Sequence, residues 1–179
     1  MVYVLLGTGF EEMEAIAPID LMRRAGISVL TVGVDGKAVT GSHGITVEAD
    51  ITLDQLDLTD LEMIVLPGGL GGVATARSSQ AALDALRFAY ENDKFVAAIC
   101  AGPTVLAELG IIGSRRATCY PGCEDGMAEA SVVEAACVTD GKLITGASAG
   151  CATAFALSLI EALKGAEEAQ RIAKQIVIR

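Results

Sequence analysis

Five short, predominantly apolar runs recur along this chain, at residues 2–6, 27–34, 62–66, 95–99 and 143–145. Runs of that length with no polar face predict strands buried on both sides, as in a parallel sheet. Stretches of helical period separate them. One opens at Glu11-Glu12-Met13-Glu14, with acid in its first turn, turns Ile16, Ile19 and Met22 to one face, and stops at Gly26 after Arg23 and Arg24. Pro18 inside it cannot donate to the Glu14 carbonyl, so a kink beside Glu14 is expected. Further helices are predicted over 78–92 (Leu83, Leu86, Ala89 and Tyr90 inward), from Thr104, over 151–163 and over 166–176. Residues 37–39 and 45–48 read as a small two-stranded excursion around Gly41-Ser42-His43-Gly44, and 53–58 as a short turn or helix. Residues 115–119 read as a strand broken by Tyr120-Pro121-Gly122, with a further strand within 132–138. Strands alternating with helices predict a doubly wound, mostly parallel α/β sheet with helices on both faces, as one domain over 1–179.

Composition narrows the picture. Among 179 residues, 52% are hydrophobic, yet no apolar run approaches the about 18 residues that span a bilayer. A formal charge of −10 argues against nucleic acid and anionic membrane as partners. Residues 1–6 make one strand without a basic leader, so a cytoplasmic, reducing setting with free thiols is expected. The five cysteines (100, 119, 123, 137, 151) show no metal spacing, and Cys119-x-x-x-Cys123 has no second pair, so no metal is expected. The single histidine, His43, is the only candidate for a Cys–His mechanism.

The candidate chemistry lies at residues 95–104. An apolar strand ends at Cys100, two small residues follow, and Pro103 falls in the first turn of a helix. Strand, sharp turn and helix with a nucleophile at the bend make an elbow. The helix N-terminus favours a thiolate there, so an acidic thiol is expected; a buried cysteine acting as a small hydrophobe is the plainer alternative. The loops at 7–14, 67–72, 100–102 and 146–150 should meet at the carboxyl edge of the sheet. Glu14, one turn into the first helix, is the acid best placed to approach Cys100. A neutral Glu14 would donate to the sulfur, because burial and a like charge both raise a carboxyl pKa. The ordinary role of an acid there is to face the helix dipole from solvent, and that is the role expected of Glu11 and Glu12. Pro67-Gly68-Gly69 could form an anion nest, and with the Ala101 N–H an oxyanion hole from Gly68, Gly69 and Ala101, or could be a plain glycine-rich loop. A glutamine-amidotransferase triad fails, since no histidine follows Cys100.

The segments Gly9-Phe10-Glu11-Glu12-Met13-Glu14, Met22-Arg23-Arg24-Ala25-Gly26, Val65-Leu66-Pro67-Gly68-Gly69 and Ala97-Ala98-Ile99-Cys100-Ala101-Gly102-Pro103 resemble the ThiJ/PfpI superfamily. Within it they are closest to the branch of the parkinsonism-associated protein deglycase and bacterial YajL. The resemblance implies a flavodoxin-like homodimer, Cys100 as a readily oxidised reactive cysteine, and Glu14 as its partner. It implies a cofactor-free glyoxalase or deglycase acting on small reactive carbonyls and glycated proteins, or a redox-sensing stress protein or holdase chaperone whose Cys100 sulfinate is the signal. Three departures stand out. Tyr120-Pro121 replaces the branch's frequent His-Pro and places a phenol at the pocket. Gly146-Ala147-Ser148-Ala149-Gly150 replaces a more polar loop. His43 stands where relatives send an arginine across the dimer interface, which implies a pH-responsive donor to the partner's site.

Overall fold

A strand that is apolar on every side chain must be covered on both faces, and the central sheet provides that cover. The computed structural model describes residues 1–178. The chain runs β1 (Val2–Leu6), α1 (Glu12–Arg24), β2 (Val29–Gly33), β3 (Ala38–Thr40), β4 (Thr46–Glu48), β5 (Ile51–Thr52), β6 (Met63–Leu66), α2 (Leu70–Ser78), α3 (Gln80–Glu91), β7 (Phe95–Ile99), α4 (Gly102–Glu108), β8 (Arg116–Ala117), β9 (Ser131–Val132), β10 (Cys137–Asp140), β11 (Leu143–Gly146), α5 (Ala152–Lys164) and α6 (Ala166–Gln175). Seven strands form one sheet in the order β10-β11-β7-β6-β1-β2-β5. All neighbours in it are parallel except the β10–β11 hairpin at the edge.

The side chains of β1 divide by the two-residue period of a strand. Val2, Val4 and Leu6 enter one core with α1, α5 and α6, whereas Tyr3 and Leu5 enter the other with α2, α3 and α4. Chain order reverses across β1, with β2 on one side and β6 on the other. The loops after β1, β6 and β7 therefore open together at the same edge, where a doubly wound sheet binds ligands.

Several sequence expectations need correction. Residues 70–72 are not loop: α2 begins at Leu70, and its second glycine lets the helix lie against the backbone of Phe10, where a Cβ on Gly72 would sit 2.7 Å from Phe10 Cα. The region 78–92 is accordingly the end of α2 followed by α3, separated at Ser79, which caps α3 by accepting from the Ala82 N–H. The strand expected over 115–119 shrinks to β8, which pairs with β9 in a separate ribbon, and 132–138 divides between β9 and β10. Helix α1 runs unbroken through Pro18. Ile19 and Met22 are buried as expected, but Ile16 is 40% exposed, and Tyr90 is 41% exposed with Arg115 over its ring.

Leu86 is fully buried among α2, α3 and the sheet. Leu86→Ala is expected to cost about 2–5 kcal/mol through lost burial and the cavity left behind, read as a lower urea midpoint at unchanged slope.

Candidate active site

Strand β7 ends at Ile99, and the backbone then bends sharply into α4. Cys100 takes φ 66°, a left-handed conformation rare for a residue with a Cβ. The bend is pinned from both sides: the Cys100 N–H donates to the Gly146 carbonyl, and its carbonyl accepts from the Tyr120 N–H, both at 2.9 Å. Pro103 sits in the first turn of α4, where no N–H is missed. The thiol is thus held out of the sheet end, half-buried, as an elbow.

Glu14 approaches from the first turn of α1. Its side chain is 1% exposed. Oε2 accepts the Gly68 N–H at 2.9 Å, while Oε1 is buried with no hydrogen-bond partner among the described residues. Gly68 is required by crowding. A Cβ there would strike Glu14 Oε2 and lie 2.6 Å from Cys100 Cβ and 2.9 Å from the Ile99 carbonyl oxygen. Gly69 takes φ 87° and caps α2. The Gly68 carbonyl accepts the Glu11 N–H at 2.9 Å, which joins the loops after β1 and β6.

The charges of this pair are coupled. Burial pushes Glu14 up to about 7, the nearby Glu11 charge adds to the rise, and the Cys100 thiol and Gly68 N–H oppose it. Burial also pushes Cys100 up, the neighbouring Glu14 carboxylate pushes it further, and the Ala101 and Gly69 N–H groups at the sulfur pull it back; the thiol reaches about 12. These influences run against the acidic thiol expected from the helix N-terminus. Between those two values the pair shares one proton, and a thiolate forms only when that proton rests on Glu14. The vacant Oε1 is the place for it.

The three acids that open α1 have three separate roles. Glu11 is the N-cap of α1 and accepts the Glu14 N–H at 2.8 Å. Glu12 is not the solvated dipole partner expected of it: it is 7% exposed and accepts from the His43 N–H at 2.7 Å, from Ser42 Oγ at 3.2 Å and from the Ile45 N–H at 3.5 Å, with His43 Nδ1 at 2.9 Å. Burial opposes the Glu12 charge, yet these bonds outweigh it and hold Glu12 down at about 2. The same hydrogen bond raises His43. Ligand atoms of Glu11, Glu12 and His43 lie within 4.8 Å of one another, but Glu11 is engaged as the cap and Glu12 as the latch of the β3–β4 hairpin.

A cavity of about 240 Å³ opens over the thiol, lined by Glu11, Gly69, Leu70, Cys100, Ala101, Tyr120 and Cys123. Of the predicted site residues, Cys100, Gly69, Ala101 and Tyr120 meet here, and Glu14 lies beneath. Gly68 does not offer the expected oxyanion donor, because its N–H is already given to Glu14. His43 lies on the hairpin outside this cavity, its side chain 71% exposed. The loop after β11 braces the elbow from behind and does not line the cavity; the turn at Tyr120–Cys123 forms that wall instead. Leu70 and Cys123 escaped the sequence reading. The Tyr120-Pro121-Gly122 break was the available sign that the chain folds back at that point.

Sheet order, elbow and loop placement define a flavodoxin-like α/β protein with a cysteine at a strand-to-helix bend. The chain belongs to the DJ-1/PfpI family, whose model matches residues 1–162. It is 38% identical over 178 residues to protein dj-1beta of Drosophila melanogaster, covering 98% of this chain and 95% of that one. The crystal structure of that protein superposes with a TM-score of 0.95 over 99% of this chain and 97% of the fly chain. A deglycase of Pyrococcus abyssi is 32% identical over 165 residues, 91% of this chain and 99% of the archaeal one. A solved structure of Toxoplasma gondii DJ-1, described as oxidized, gives a TM-score of 0.93 at 33% identity over 98% of this chain and 97% of that one. In the described residues no helix is long and apolar enough to cross a membrane.

The two buried acids bias stability in opposite directions. Native Glu14 keeps, up to about 7, a proton that the unfolded chain sheds near 4.5. The unfolded state then binds fewer protons, so the Glu14 contribution falls as pH rises from about 4.5 to 7. Native Glu12 stays ionised down to about 2, so its contribution is present above 4.5 and is lost as pH falls below it. Urea midpoints against pH should lose the first slope in Glu14→Gln and the second in Glu12→Gln.

Proposed function

We propose that this chain is a cofactor-free, cysteine-dependent enzyme acting on 2-oxoaldehydes and early glycation adducts, of the glyoxalase or deglycase type. The observation that carries the reading is the buried, unpartnered Glu14 Oε1 beside a thiol held at a strained elbow. Moving the shared proton onto Glu14 gives a thiolate without metal or cofactor. The thiolate attacks the aldehyde carbon, a C–S bond forms, and the carbonyl pair moves onto oxygen. In this reading the Gly69 and Ala101 N–H groups beside the sulfur donate to that oxygen, and Glu14 protonates it. Ionised Glu14 then removes the hydrogen from the same carbon to give an enediol and returns a proton to the neighbouring carbon, while the hydroxyl proton of the first carbon passes to the oxygen of the neighbouring one, leaving a thioester of a 2-hydroxy acid on Cys100. Water cleaves the thioester and restores the thiol. In deglycation the same attack splits a hemithioacetal or aminocarbinol adduct. The name of the Pyrococcus abyssi relative supports this direction.

A second reading, a redox-sensing stress protein or holdase, draws on the same thiol. What favours it is that the half-buried Cys100 opens directly onto a surface cavity, and that a relative's solved structure is described as oxidized. Peroxide attacks an accessible thiolate first. In either reading the proposed setting is the cytoplasm and the proposed assembly a homodimer. Exposed Met13 and Ile16 on α1 and Ile45 beside His43 supply apolar contact for a partner. Glu12 holds His43 Nδ1, which leaves Nε2 as the ring atom for the neighbouring subunit.

Lactate formation from methylglyoxal tests the enzymatic reading. Cys100→Ser and Glu14→Gln should each lower the rate by about 10²-fold or more; unchanged rates in both would remove it.

A further inference from the structure

Two thiols line the cavity, and the chemistry above uses one. Cys123 is half-buried in the wall of the same cavity. It arrives there through a tight turn closed by its own N–H donating to the Tyr120 carbonyl at 2.9 Å, with Gly122 at φ 95°. The first residue of that turn donates its N–H to the Cys100 carbonyl. The turn carrying the second thiol is thus tethered to the residue carrying the first. No other cysteine shares the cavity: Cys119 is buried behind the turn, and Cys137 and Cys151 lie at β10 and the start of α5.

We propose that Cys123 is the resolving thiol of Cys100, so that peroxide converts the site to a reversible disulfide. The proposal rests on Cys100 being the reactive thiol of the preceding reading. Hydrogen peroxide passes one oxygen to the Cys100 sulfur, giving a sulfenic acid and one water. The Cys123 sulfur then attacks the Cys100 sulfur, an S–S bond forms, and the hydroxyl leaves with the Cys123 proton as a second water. Two thiols lose two electrons and two protons, which the peroxide takes up. A disulfide needs Cα atoms about 4.4–6.8 Å apart. The elbow is fixed by the sheet, so closure falls to the surface turn, where a Cβ on Gly122 would meet nothing within 4 Å. The bond would shut the cavity and divert Cys100 from irreversible sulfinate, and an added thiol would reopen it.

The test treats the full chain with equimolar hydrogen peroxide, alkylates the remaining thiols and maps peptides by mass. The expected wild-type product is a Cys100 peptide joined to the Cys123 peptide with loss of two hydrogens, reversed by dithiothreitol. In Cys123→Ser, and in Cys123→Ala as a second variant, the fraction of Cys100 carrying two oxygens should rise on the order of tenfold. Equal accumulation of that form in wild type and both variants, or a bond from Cys100 to any other cysteine, overturns the proposal while leaving the carbonyl chemistry intact. Cys100 gaining neither oxygen nor disulfide in any of the three proteins overturns it together with the reactive-thiol reading.

Discussion

One buried carboxyl organises the candidate site of this molecule. Glu14 is enclosed with a single hydrogen bond, from the Gly68 N–H, and its second oxygen has no partner. A carboxylate so placed is costly to ionise, and a thiol beside it is costly to ionise as well. The protonation of each group therefore depends on the charge of the other. That constraint explains why a glycine must stand at position 68, since any Cβ there would fill the space the carboxyl and the cysteine share.

The fold holds that arrangement by spending backbone order around it. A cysteine at φ 66° costs on the order of 1–3 kcal/mol, and it persists because the Gly146 carbonyl and the Tyr120 N–H clamp the residue from two different elements. Parallel strands β1, β6 and β7 are rigid and buried on both faces, so the loops leaving them are placed by the core and not by their own composition. The open side of the cavity is different. There the Tyr120–Cys123 turn stands at the surface, outside the seven-stranded sheet, tied to the elbow by one backbone hydrogen bond.

The entry to α1 shows how one short acidic motif serves three physical tasks. Glu11 caps the helix, Glu12 latches the β3–β4 hairpin through His43, and Glu14 turns inward to the thiol. Helical positions two apart point about 200° apart, so Glu12 faces the hairpin and Glu14 the site, while Glu11 at the cap borders the cavity. The same residue type is held at about 2 in one place and about 7 in another because hydrogen-bond donors surround Glu12 and almost none reach Glu14.

The sequence alone determined the five buried strands, the parallel class and the elbow, because these rest on local signals: short, mostly apolar runs, a proline at a helix start, and small residues after Cys100. It named Cys100 and Glu14 as candidates, since strand ends in a doubly wound sheet converge. It misread the Leu70–Gly72 segment, because those glycines are selected by the Phe10 backbone lying against α2, a contact between positions some sixty residues apart. It also misassigned Gly68, whose N–H is taken by a carboxyl from another element, and Glu12, whose burial depends on where a hairpin folds over. Local pattern records which backbone a residue prefers. Which donor meets which acceptor, and therefore where a proton resides, is decided only when distant segments are packed together.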